Sequence, residues 1–353
     1  MTFPSGRTTT ADRCNRIISD MMSQSENKKP VRWADIVKAV LALILIGIVF
    51  SRTNIQQVTA LRSSLDWRWL ALGFLLYCLV TLIKGTQYWL LLRPKVMYDQ
   101  TLKIVVIQNA LTNLVANTAG LATYLTMFRL EQNVKLGRSG TVFIVTKVGD
   151  LFSMGFYLLL SALFVWDRVD ALHGLVVALL VVILVFVALF WTVVFLRRAF
   201  VSQVERFSHA LRLDRFNLVR RGLGFLGMLA DMEHQVVVQL LSKGLLVSLL
   251  YMSCTMLYFY SRTQIFHIPL DFWAVLFIAS LMQLISIIPL QIFGGLGVSD
   301  LTSIYLYELF GVTGVDISAI VIGLRVLFYL FNLGVLLYIP ADILAKRLTH
   351  RSP

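Results

Sequence analysis

The chain has 353 residues, is 58% hydrophobic and 14% charged, and carries a formal net charge of +13. A soluble domain carries about a quarter charged residues, so this composition excludes one and defines an integral membrane protein. The basic excess then belongs to short cytoplasmic loops and to contact with anionic headgroups. It flanks apolar spans rather than forming a patch, which argues against a nucleic-acid partner.

Residues 1–33 are polar and read as a cytoplasmic, largely disordered tail. They lack the apolar core of a signal peptide, and Asp12, Asp20 and Glu26 do not suit a transit sequence. The first expected span is 34–50, short against the roughly 20 residues of a full crossing, with Trp33 and Arg52 marking its interfaces. A polar loop, 51–68, ends in Asp66-Trp67-Arg68-Trp69, whose tryptophans suit headgroup level. The second span, 70–92, contains Lys84, near enough to its end to snorkel, and Arg93, Pro94 and Lys95 close it on a basic side.

Residues 102–128 are apolar but interrupted by Gln108, Asn109, Thr112, Asn113, Asn117, Thr118, Gly120 and Thr123. That many polar groups do not suit a lipid-facing helix. The pattern predicts two half-helices meeting at 117–120, entering and leaving on one side. Arg129, Lys135 and Arg138 make that side basic. The span 141–166 opens with Lys147 and Asp150, three apart on one helical face and able to pair. The span 172–196 is uniformly apolar and predicted to face lipid.

Residues 197–243 form a polar segment rich in arginine, cytoplasmic by the positive-inside rule. Its apolar residues recur at helical spacing, so part of it either lies along the membrane surface or forms a solvated helix. A span at 244–261, a nearly neutral outer loop at 262–271 and an apolar segment at 272–293 follow. That segment runs into Pro289, Gly294, Gly295 and Gly297, then Asp300. Proline and glycine are poor helix residues, so 287–301 predicts a discontinuous helix sheltered inside a bundle, with a kink or surface loop as the plain alternative. A short amphipathic helix, 301–310, a last span to 340 carrying Arg325, and a basic cytoplasmic tail, 345–353, complete the chain.

Two regions share one plan: an apolar segment, a break, a short helix, a glycine, then a span with a buried cation. Gly120 and Gly137 in the first match Gly297 and Gly314 in the second at equal spacing, with Lys147 and Arg325 following. The fold class expected is an all-α polytopic membrane bundle with two broken or re-entrant segments in inverted repeats, the first half at 34–196 and the second at 244–344. Basic loops put the first break on the cytoplasmic side and the second outside; if 272–293 crosses alone, the second break is cytoplasmic as well.

Pro289, the Gly294-Gly295-Leu296-Gly297-Val298 run, Asp300 and the downstream Arg325 resemble the lysylphosphatidylglycerol synthase transmembrane-region, or flippase-like, family. Gly120, Lys147 and Asp150 carry a weaker likeness in the first half, and the resemblance covers 37–344. The family usually has Arg then Glu after the glycines, where Ser299 and Asp300 stand here. Its first-half Pro, Glu and Arg are also replaced, so that half has lost charge. The resemblance implies a bundle that binds or moves lipids. The relatives' aminoacylation chemistry sits in a separate soluble domain, which this chain is too short to include.

The expected function is therefore lipid translocation, with Arg325, Lys147, Asp150 and Asp300 on a charged headgroup and Asn109, Asn113, Asn117 and Gln283 lining a polar path. The structural alternative is that Lys147 pairs with Asp150 and Arg325 with Asp300, tying the bundle together. The runner-up function is a non-transporting partner presenting lipid-linked substrate to a glycosyltransferase or lipid-modifying enzyme. Cys14, Cys78 and Cys254 are far apart and the five histidines are scattered, with no metal-ligand spacing. No P-loop or nucleophile elbow stands out. The expectation is a protein that is not an enzyme and carries no metal or cofactor, in a cell membrane (a bacterial inner membrane), with its N-terminus cytoplasmic.

Overall fold

The computed structural model describes residues 65–93, 96–114, 117–134, 136–210, 234–287, 298–312 and 317–339. Among these it is helical and holds no strand. The helices are α1 (Trp67–Leu92), α2 (Tyr98–Leu114), α3 (Asn117–Gln132), α4 (Leu136–Val165), α5 (His173–Ala210), α6 (His234–Ile265), α7 (Phe272–Ile287), α8 (Val298–Leu309) and α9 (Ile317–Leu336). Five of them contain stretches long and apolar enough to cross a membrane: α1, α4, α5, α6 and α9. The expected span 34–50, the glycines Gly294, Gly295 and Gly297 and the basic tail lie outside the described residues.

Helix ends are set by local chemistry, and those ends fix the topology. Asp66 caps α1, its carboxylate accepting from the amides of Arg68 at 2.9 Å and Trp69 at 3.4 Å. The Asp66 amide donates to the Ile265 carbonyl at 3.1 Å, so α1 begins where α6 ends. At the other extremity, Gln87 reaches the Gly244 carbonyl and the Ser248 hydroxyl near the start of α6. The two helices are therefore an antiparallel pair.

Helix α2 starts beside the end of α1. The Arg138 guanidinium, at the start of α4, donates to the carbonyls of Leu92 at 3.3 Å and Arg93 at 2.8 Å. The α2–α3 hairpin therefore enters and leaves at the Arg93 end, and α4 crosses to the Asp66 end. There Arg168 pairs with Asp271, which caps α7 by accepting from the Ala274 amide. Burial acts to raise the Asp271 carboxyl, but its bonds to Arg168 and the cap hold it below its ordinary value. Helix α8 ends at the same extremity: Phe310, just past it, lies under the Arg168 guanidinium and packs edge-on against Phe277 of α7. The α7–α8 hairpin therefore opens at the Asp66 end, opposite to α2–α3. Helix α9 then runs back, and Tyr338 just beyond it bonds Asp99 of α2 at 2.9 Å.

The core divides accordingly. One apolar cluster joins Leu158 of α4, Met256 of α6, Phe277 of α7, Leu306 of α8 and Ile320 of α9. A second joins Tyr88, Ile104, Tyr124, Phe128 and Val145 at the Arg93 end. Helix α5 stands at the periphery: only 22% of its apolar window is buried, as its uniform apolarity predicted. Its 38 residues rise about 57 Å, well beyond a hydrocarbon layer of roughly 30 Å. Residues 197–210 continue this helix without interruption rather than turning to lie along the surface.

One expectation needs correction. Helix α3 already begins at Asn117, so Gly120 lies within its first turn rather than at a junction between half-helices. Its function is close approach: a Cβ there would sit 1.8 Å from the Thr112 Oγ and 2.9 Å from the Gln108 carbonyl oxygen of α2. Gly140, by contrast, has open space around it. Gly120→Ala should therefore destabilise the solubilised protein by about 1–3 kcal/mol, while Gly140→Ala should leave it unchanged or raise stability by up to about 1 kcal/mol. Thermal unfolding in detergent of the two variants beside the parent chain checks both signs.

Candidate functional site: a charged cavity between the hairpins

The inner faces of the helices enclose a cavity of about 570 Å³. Its wall takes Tyr77 and Lys84 from α1, Asn109 and Asn113 from α2, Lys147 from α4, Arg262 from α6, Gln283 from α7, Asp300 from α8 and Arg325 from α9. Charges and amides gather here because neither can face lipid without a partner.

Next to its tip, the first hairpin is tied down by a buried polar cluster. The Asn113 amide donates to the Asn332 carbonyl oxygen at 2.8 Å, and the Tyr77 hydroxyl donates to the same oxygen at 2.7 Å. Asn332 in turn donates to the Phe328 carbonyl of its own helix at 2.7 Å. One asparagine of α9 thus links α1 and the α2–α3 hairpin.

Two ion pairs stand on the wall. The Lys84 ammonium contacts both Asp150 oxygens, at 2.6 and 2.9 Å, and Ser248 donates to Asp150 at 3.1 Å. Lys84 and Asp150 are 6% and 7% exposed, so Lys84 does not snorkel. It lies about two helical turns inside α1, and its partner is on another helix. In the second pair, Arg325 approaches one Asp300 oxygen through Nη2 at 2.5 Å and Nε at 3.1 Å, and donates to Ser299 Oγ at 2.8 Å. Asp300 occupies the first turn of α8, where the helix dipole favours a carboxylate.

Two further cations line the cavity without a carboxylate among the described residues. Lys147 is exposed to the cavity, its ammonium 5.6 Å from the Phe143 ring centroid. Arg262 lies among the rings of Tyr258, Phe259 and Phe328 at 5.5–6.0 Å. From Nη2 it donates to the Leu324 carbonyl at 3.0 Å, and its buried Nε and the buried Tyr258 hydroxyl beside it both lack a hydrogen-bond partner among the described residues.

Of the residues singled out from sequence, Arg325, Lys147, Asp300, Asn109, Asn113 and Gln283 all reach this cavity. Asp150 stands behind the wall, on Lys84. Its expected alternative pairing with Lys147 is not formed: the shared helical face was legible, but Lys84 satisfies the carboxylate from across the bundle. The pairing of Arg325 with Asp300 is formed. Asn117 begins α3, and its side chain is outside the described residues. Sequence reasoning placed Arg262 in an outer loop; it belongs to the last turn of α6. It also missed Tyr77 and Asn332, because tyrosine and a lone asparagine in an apolar run carry no distinctive spacing.

Fold and site together define a polytopic α-helical membrane protein with a charged cavity enclosed by its helices. Residues 36–335 match the family described as lysylphosphatidylglycerol synthase TM region, and the chain belongs to it. No curated protein and no solved structure matches the chain.

Removing one partner of a buried ion pair strands the other charge, at about 3–5 kcal/mol, whereas removing both is close to neutral. Lys84→Met should therefore lower stability by about that amount, and the Lys84→Met/Asp150→Leu double variant should recover most of it. Denaturation in detergent of the single and double variants measures the difference.

Proposed function

We propose that this protein is a lipid translocator that carries a charged headgroup through its central cavity. The observation that carries this reading is the position of the cavity, between two hairpins that open at opposite ends of the bundle. Helix α1, the α2–α3 hairpin and α4 form one unit; α6, the α7–α8 hairpin and α9 form a second, with α5 between them. Helices α1 and α6 pack together, α4 packs on α7, and α9 packs on α2, as exchange of two equivalent units requires. This supports reading the halves as inverted repeats, the plan on which carriers rock around a fixed central site. The side chains give the headgroup its contacts, and the apolar flanks leave the acyl chains in lipid.

Among the described residues flanking the helix ends, the Arg93 end carries the cations Arg93, Lys103, Arg129 and Arg138 beside Asp99 and Glu131, whereas the Asp66 end carries Arg68 and Arg168 beside Asp66, Asp167, Asp170, Asp271 and Glu308. By the positive-inside rule the Arg93 end is cytoplasmic; α1 begins at the opposite end, so a crossing by the expected span 34–50 would return the N-terminus to the cytoplasmic side of a cell membrane. The protein moves its lipid without transforming it. A second reading has one observation in its favour: α5 projects far past the layer at the Arg93 end and leads into a basic segment. That is a docking element for an enzyme acting on a lipid-linked substrate.

Purified protein in liposomes should move a headgroup-labelled phospholipid between leaflets at least tenfold faster than protein-free liposomes. The Arg325→Leu/Asp300→Leu variant removes a pair without stranding a charge and should lose most of that rate while keeping its helical circular dichroism. A folded parent protein that moves no lipid would reject translocation and leave the partner reading.

A further inference from the structure

The sign of the headgroup follows from the charge balance of the cavity wall. Four cations line it, Lys84, Lys147, Arg262 and Arg325, against Asp300 on the wall and Asp150 directly behind Lys84. Four against two leaves two positive charges unmatched among the described residues, and these belong to Lys147 and Arg262.

The two unmatched cations stand at opposite ends of the cavity. Asp150 bonds Ser248 and Tyr157 bonds Ser253, so α4 and α6 run parallel in a fixed register. In that register Arg262 lies about 25 Å nearer the Asp66 end than Lys147. Among the described residues each end therefore has one ion pair and one cation without a counter-ion: Lys84–Asp150 beside Lys147, and Arg325–Asp300 beside Arg262.

The Arg262 environment argues for an anion in particular. A basic residue in the last turn of a helix is favoured by the dipole, and one carbonyl accepts from Nη2. Neither accounts for the buried Nε, which has no acceptor among the described residues; the Tyr258 hydroxyl beside the guanidinium is likewise unpartnered and offers it no negative charge. The surrounding aromatic faces attract the charge but cannot accept the in-plane N–H of the fork. A phosphate oxygen pair matches that fork, as guanidinium–phosphate contacts commonly do. An ammonium head placed here would instead add to two unmatched positive charges.

We infer that Arg262 and Lys147 are the two recognition points for a phosphate-bearing, net anionic headgroup, one at each end of the cavity, with the Lys84–Asp150 pair holding α4, which presents Lys147, and the Arg262–Leu324 bond tying α6 to α9. This rests on the lipid-path reading above and adds to it the charge class of the cargo.

The test is equilibrium binding of tail-labelled lipids to the full chain in neutral detergent. The lipids are phosphatidylglycerol, a diacylglycerol with the same tails, and a diacyl lipid with a trimethylammonium head. Phosphatidylglycerol should bind at least tenfold more tightly than the other two. Arg262→Gln should weaken it tenfold or more, and Lys147→Gln threefold or more, with unfolding temperatures close to that of the parent. If Arg262→Gln does not fold, Arg262→Lys keeps the charge, loses the fork, and should weaken binding at least threefold. Unchanged phosphatidylglycerol affinity in the Arg262 variants overturns the inference. So does equally tight binding of the cationic or neutral lipid, although the lipid path would stand. Failure of all three lipids to bind overturns both. Inorganic phosphate at 10 mM should leave the lipid bound; displacement would keep the anion site but assign it to a soluble phosphate.

Discussion

A helix that stops inside a hydrocarbon layer leaves backbone groups that lipid cannot satisfy. Such a break survives only where protein surrounds it, and much of this bundle follows from sheltering two of them. The α2–α3 hairpin is too short to span in either arm, 17 and 16 residues, and it is enclosed by α1, α4 and α9. Gly120 lets its two arms approach closely, and Asn113 fastens it to Tyr77 and Asn332. The α7–α8 hairpin meets the same constraint from the other end, with α8 held to α9 through Asp300 and Arg325. Once both hairpins are inside, the amides and charges that anchor them face one another, and a polar cavity is the consequence.

The two ion pairs differ in kind although they occupy comparable places. Lys84–Asp150 joins α1 to α4 within the first unit and gains a third partner, Ser248, from the second. Arg325–Asp300 joins α9 to α8 within the second unit, with Ser299 as an added acceptor. Buried pairs contribute little net stability and enforce specific geometry chiefly because a lone charge there is so costly. Here each fixes a long helix against a neighbour in its own unit. Lys147 and Arg262 are the cations left over from that arrangement, which is why they are the ones available to a cargo.

Much of the architecture was legible in the chain because spans and breaks announce themselves locally. Apolar runs gave α1, α4 and α9 to within about five residues, whereas α5 runs 14 residues past its expected end and α6 starts 10 residues before its expected beginning, because both helices continue through polar sequence; the amides from Gln108 to Asn117 revealed the first hairpin. The basic residues Arg93, Arg129 and Arg138 put both its ends on one side. What the chain did not reveal was long-range partnership. Lys84 and Asp150 are 66 residues apart, and Asn113 and Asn332 are 219 apart. Nothing in their spacing selects them over the local Lys147–Asp150 pair, which has the right helical separation and the wrong geometry. Arg262 was misplaced because a charge at the end of an apolar run reads as the end of a span, whereas α6 carries it one turn further inside.

The central claim is that two hairpins enter from opposite ends of the bundle. It is tested most directly by single-cysteine labelling in sealed, uniformly oriented vesicles, with Cys14, Cys78 and Cys254 first replaced by serine. Glu131 closes α3 and Glu308 closes α8, and both side chains are exposed. An impermeant maleimide added outside should label Glu131→Cys and Glu308→Cys from opposite faces, one before and the other only after the vesicles are opened. Labelling of both from the same face would mean that the hairpins share a side, and the cavity would not lie between inverted halves.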